Sequence, residues 1–230
     1  IGAEIGEHHT LALTALQVRQ TTDEARIDEG LASSGAVERQ SQLEWVENAL
    51  RTVQLSGEHS LPALGGLRAD WLFSRSAASR DAPNTREVRH QYSDAEQAFR
   101  FYGVDNRFDA LEDDVDEARV QLAYPFAFGQ AATLELQAGA SRLDRERRSD
   151  IWRFTFGGGR PGNIPFLPIE EILSPDNIGP DFRTQLRLQR NGRPTDFYTA
   201  TQSLDGTWLA GDLAWNAWRA NLGVRRERNL

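Results

Sequence analysis

Few residue clusters in this chain have the types and spacing that chemistry needs. His8 and His9 follow Glu7, but adjacent residues of a strand point to opposite faces and no third ligand is placed by sequence. A polar turn is the expectation there, and no metal. The acidic run Glu112, Asp113, Asp114, Asp116, Glu117 lacks the central glycine and ligand spacing of a calcium loop, and is read as a solvated loop base. Gly157–Gly159 with Arg160 lacks the Lys-Ser/Thr ending of a phosphate-binding loop. It is read as the tip of a hairpin arm opened by Ile151–Phe156. No Ser/His/Asp order or carboxylate pair stands out. No catalytic residue, enzyme activity or cofactor is expected. The arginines Arg142, Arg145, Arg147 and Arg148 either meet anionic lipid headgroups or pair internally with Asp144, Glu146 and Asp150.

The elements that must carry these residues are strands. Period-two alternation recurs where helical periodicity is scarce. From Val53 to Leu61 the odd positions are mostly apolar, and after a Pro62–Gly66 turn Leu67, Ala69, Trp71 and Phe73 continue the pattern. Even positions are apolar from Ala118 to Phe128 and, through a turn at 129–131, from Ala132 to Ala140. A third pair joins Tyr198–Ala210 to Trp218–Val224 through a turn at Asp212–Ala217. Thr10–Gln20 reads as a further strand with a less clean phase, which makes seven.

Facing residues of an antiparallel pair share a sheet face, so the apolar phases must match through each turn. The predicted partners are Val53–Arg75 to Leu61–Leu67 and Phe128–Ala132 to Val120–Ala140. In the third hairpin they run from Ala210–Trp218 to Leu204–Val224. Over these strands no apolar-phase position is Asp, Glu or Arg, and only His59 and Gln202 are polar. The intervening phase carries Glu58, Arg68, Asp70, Arg119, Glu135, Asp205 and Arg219. The connections 21–41, 81–114 and 149–196 alternate with the short turns, so all the long ones emerge at one end of the sheet. That is the layout of an outer-membrane barrel. Aromatics (Tyr124, Phe126, Phe128, Trp208, Trp215, Trp218) gather at the short-turn end, as an interfacial girdle would. Glu47, Arg51, Arg75 and Arg142 are on the apolar phase toward the long-loop end.

The sequence therefore predicts an all-β, antiparallel up-and-down transmembrane β-barrel segment with long extracellular loops. Seven strands neither close a wide lumen nor leave edges tolerable in lipid, so residues 1–230 are expected to be part of one larger barrel domain. The alternative is a soluble β-sandwich ligand-binding module, whose strands also alternate.

The stretch Tyr198-Thr-Ala-Thr-Gln-Ser-Leu-Asp-Gly-Thr-Trp208, followed by Gly223-Val-Arg-Arg-Glu227, resembles the barrel strands of TonB-dependent outer-membrane receptors. Ala118–Phe126 and Leu55–Leu61 look similar to other strands of that family. Trp208 stands where the family pattern has Tyr, and no plug domain is present in this sequence. The resemblance implies location in the cell outer membrane, contact with its lipid, and coupling to periplasmic TonB through an N-terminal part outside this sequence. It also implies import of a scarce small-molecule ligand, such as a siderophore complex, a cobalamin or an oligosaccharide. The aromatics of the long connections, Tyr92, Phe99, Phe101, Tyr102, Trp152, Phe154 and Phe156, are the expected ligand contacts, with packing within the loops as the alternative role.

The chain is acidic, with a net charge of −8, and every basic residue is Arg. Such a balance argues against a nucleic-acid partner, which needs a basic face. The loops 21–41, 81–114 and 149–196 carry this net charge, while the remaining segments are neutral overall.

Overall fold

The computed structural model describes residues 1–129, 131–158, 166–181 and 185–230. The strands are β1 (Gly2–Ile5), β2 (His9–Leu31), β3 (Val37–Leu61), β4 (Leu67–Ser93), β5 (Ala98–Phe128), β6 (Ala132–Gly158), β7 (Leu186–Arg190), β8 (Phe197–Trp215) and β9 (Trp218–Asn229). All the pairings between these strands are antiparallel. The path is β1-β2-β3-β4-β5-β6-β8-β9, with β7 paired to the upper end of β6. Each strand thus pairs mainly with its neighbour in sequence, and β1 and β9 are the free edges. A helical turn, α1 (Ile169–Ile172), is the only α-helix among the described residues.

The first two hairpins have the predicted registers, Leu55↔Phe73 and Gly57↔Trp71 in one and Tyr124↔Leu136 and Leu122↔Ala138 in the other. The third does not. Its turn is only Asn216–Ala217, with Asn216 at φ 51°, a left-handed conformation that Asn tolerates better than most residues. Trp215 therefore faces Trp218, and Leu209 faces Val224. The shift moves Trp208 to the polar phase and brings Leu209, Gly211, Leu213 and Trp215 onto the apolar one. Both phases of 208–211 are apolar in sequence and Asp212 reads as the start of the turn, so hydropathy left that register open. The β6 partners, Ala132↔Trp215, Leu134↔Leu213 and Ala138↔Leu209, set it.

The strand count is nine rather than seven, and most of the predicted loop length is strand. β2 and β3 run on to a turn at 32–36, and β4 and β5 to a turn at 94–97. The acidic run 112–117 therefore lies inside β5, not at a loop base. Alternation vanishes in these extensions because both faces carry charged residues. Arg39 pairs with Glu29 at 3.0 Å on one face, and Arg89 with Asp105 at 2.6 Å on the other. A bulge in β4 between Ala82 and Thr85 also resets the side-chain phase there. It holds Pro83, which has no N–H for a ladder bond.

Two surfaces result from this register. On the apolar phase, Leu11, Leu13 and Ala15 of β2 continue through Val53, Leu55, Phe73, Val120, Leu122, Leu136, Leu209 and Leu213 to Leu222 and Val224 of β9. This band crosses the whole sheet and is open. Leu55 is 42% exposed, Leu122 45%, Leu209 54% and Leu222 83%. No second layer of described residues covers it.

The opposite, polar phase is the more enclosed one. Val46, Ala82, Thr85, Asp113, Ala123, Ser149 and Asp196 are buried on it. Arg68 of β4 reaches over β5 to Glu135 of β6 at 2.5 Å, and Arg107 of β5 over β4 to Glu44 of β3 at 3.9 Å. Strands two apart are about 9–10 Å from one another, so such reach fits a sheet curled toward its polar side. The main hydrophobic cluster, Val88, Phe101, Val104, Ile172 and Leu186, is small and sits at the end away from the short turns.

Candidate functional site

The apolar band has sharp borders. Toward the short turns it ends in Tyr124, Phe126, Phe128, Trp215 and Trp218; the Tyr124 and Phe126 rings are 4.7 Å apart. Toward the other end, a row of charges on the same phase replaces the apolar side chains: Arg51, Arg75, Asp116, Arg142, Asp205 and Arg226. Arg142 holds Asp144 with both Nε (2.7 Å) and an η nitrogen (3.1 Å), and lies 4.0 Å from Asp205.

The histidines meet inside the band near the short turns. His8 is in the turn before β2, and His9 faces His59 across the strand pair. The two Nδ1 atoms are 3.1 Å apart, and Trp71 Nε1–H donates to His59 Nε2 at 2.8 Å. With Nε2 accepting, a neutral His59 must carry its proton on Nδ1 and donate it to His9. The group is a satisfied hydrogen-bond chain. Among the described residues, no cluster of three or more His, Asp or Glu is arranged to hold a metal.

The arginine cluster pairs internally. Arg148 binds Asp150 at 2.9 Å and Arg142 binds Asp144, as two of the expected partners. Glu146 is displaced by Asp113 of β5, which accepts from Arg145 Nε at 2.7 Å and Arg147 Nε at 3.0 Å. Those bonds, Arg145 first, hold the buried Asp113 carboxyl down to about 2, against the desolvation that raises it. Asp113 was not identified as the partner from sequence, because it lies on the neighbouring strand. The charge alternation of β5 and β6 was the available signal. Of Gly157–Gly159 with Arg160, the last two residues lie outside the described ones.

The seven aromatics expected to contact ligand are on strand extensions, not in loops. Six share the phase of the apolar band beyond its charged border. Tyr92 meets Phe99 edge-on at 5.3 Å, with Arg39 4.0 Å over the Phe99 ring. Phe101 is buried beside His90, and Phe156 packs against the same cluster under α1. Trp152 meets Phe197 at 5.0 Å beneath Arg190, and Phe154 meets Phe108 at 6.0 Å. Tyr102 occupies a second bulge and is 45% exposed. The fold gathers these residues into pairs and one small core rather than around one cavity, although Phe154 also lines a neighbouring cleft.

A feature that sequence reasoning missed lies on the polar phase of the same extensions. Thr85, Glu87, Asp105, Arg107, Arg153, Thr155, Asn191 and Arg193 line a cleft of about 510 Å³, within the roughly 300–1,000 Å³ of small-molecule sites. Its charges are paired except for Arg193, which has no salt bridge among the described residues. Arg107 Nε lies 2.7 Å from Asp109, and Arg153 Nε lies 3.0 Å from the buried Asp196. Asp196 also accepts from the Arg193 backbone N–H at 2.6 Å. That bond, followed by Arg153, lowers its pKa against desolvation. The one visible signal in sequence was the mixture of Arg, Asp and Asn; only the β4 bulge and the β7 segment bring it together. No protein-family model and no curated protein matches this chain.

Proposed function

We propose that the chain is part of the barrel of a TonB-dependent outer-membrane receptor, with its apolar band against lipid and its polar face toward the lumen. In this reading it lies in the cell outer membrane. The strand extensions stand outside the bilayer and capture a scarce small-molecule ligand for energy-coupled import. The band is the observation that carries the proposal. Crossing seven strands over a height of roughly 25 Å, it amounts to on the order of 1,000 Å² of open apolar surface. The largest patch on a typical soluble monomer is about 300–600 Å². Strands of Ala118–Phe128 length, tilted as barrel strands are, match the roughly 25 Å apolar belt of such proteins. The charged row above the band and the aromatics below it are placed as the two interfaces require.

A soluble sandwich would cover the band with a second sheet, and the described strands form one sheet. The free edges β1 and β9 leave ladder groups unpaired, which lipid does not tolerate, so the proposal calls for further strands to close the barrel. Fractionating cells that express the full-length parent tests it. The parent is expected in the outer-membrane pellet and soluble only with detergent. A parent that stays in aqueous solution without detergent overturns the reading.

A further inference from the structure

The geometry points to the polar cleft on the strand extensions as a binding site for a neutral, polyhydroxylated ligand of saccharide type. This deepens the transport reading and depends on it for the ligand's fate, though not for the binding itself. Thr85 carries the inference. It is 7% exposed, its side chain is on the cleft side of β4 just past the bulge, and its Oγ1 has no hydrogen-bond partner among the described residues. A buried hydroxyl left unpaired costs about 1–3 kcal/mol, so a group that pairs with it gains correspondingly.

The rest of the lining narrows the class. Arg107 and Arg153 each have a carboxylate partner, and Asp105 is held by Arg89. Glu87 is also near Arg89, so Arg193 is the one lining ion without a salt bridge among the described residues, and the cleft has little unpaired charge with which to offset the desolvation of an anionic or cationic ligand. It offers alternating donors and acceptors instead: the Asp105 carboxylate, the Arg107 guanidinium, and the Thr155 hydroxyl bonded at 3.1 Å to the Asn191 amide. Hydroxyl groups that both donate and accept fit such a lining.

The test is calorimetry on the full-length protein in detergent with neutral di- and trisaccharides, beside a ferric trihydroxamate complex and cyanocobalamin. Saccharide binding is expected, weakened roughly tenfold by Thr85→Val. Because the hydroxyl is unpaired in the free protein, the same variant is expected to keep the wild-type unfolding midpoint. A merely structural threonine would lose stability instead. Binding of the iron complex or the corrinoid without any saccharide overturns the inference and leaves the receptor reading standing. Saccharide binding that Thr85→Val leaves unchanged also overturns it. Saccharide binding lost in Thr85→Val, in a parent that proves water-soluble, supports the cleft and sinks the membrane reading.

Discussion

The two halves of β5 follow different rules along one unbroken ladder to β6. From Ala118 to Phe128 one face is free of charge and the other is mixed. From Ala98 to Asp116 both faces carry ions, with Arg75–Asp116 on one and Arg145–Asp113 on the other. Main-chain pairing to β6 continues at constant register from Phe128↔Ala132 to Val104↔Phe156. The backbone is thus indifferent to the change, and the side chains alone record it. In the lower half stability comes from segregating polarity; in the upper half it comes from cross-strand ion pairs and a small core under α1.

The largest test of that contrast places one charge at two heights on one face. Leu122→Arg in the full-length protein is expected to cost about 2–4 kcal/mol and to abolish outer-membrane assembly. Ala110→Arg, on the same strand and phase but above the charged border, is expected to stay within about 0.5 kcal/mol. Equal folding yields for the two variants, measured by detergent-gel mobility before and after heating, would break the comparison.

The upper half should in turn be the acid-sensitive one. Asp113 titrates near 2 in the folded chain, below its ordinary 3.8. Its carboxylate therefore stabilises the fold above about pH 4, and that contribution is lost as pH falls toward 2. Asp113→Asn is expected to lower stability by roughly 1.5–3 kcal/mol at neutral pH and to flatten the melting curve between pH 4 and 2. An unaltered pH profile would show that Arg145 and Arg147 find other partners.

A smaller effect sharpens the description of the lower half. Gly139 lies beneath Trp208 on the polar face, and a Cβ there would overlap the indole. Gly139→Ala is expected to cost about 1 kcal/mol, the low end of overpacking because the half-buried ring can swing aside. Tryptophan fluorescence should shift toward a more solvated emission. An unshifted spectrum would place Trp208 on the opposite face, as the original hairpin register had it.

Legibility followed the same division. Strands 53–61, 67–73, 118–128 and 132–140 were readable with their registers because one phase holds nearly all the apolar residues. Segments 21–41 and 81–114 read as loops because charges on both phases erase the alternation that marks a strand. Pro83 in the β4 bulge strengthened that impression. Among the candidate contacts, the ring types were legible but their phase was not. Phe101 and Phe156 join a core that needs Ile172 and Leu186 from a distant segment.

By itself the sequence determined an all-β chain of antiparallel hairpins, with short turns at one end and one uncharged face. Period-two hydropathy is local information, and each hairpin carries its own copy. Only the tertiary structure decided the register of 208–215, the partner of Arg145 and Arg147, and the cleft around Thr85. Each depends on which strand lies alongside, and pairing across strands is fixed by neighbours that the local pattern does not name.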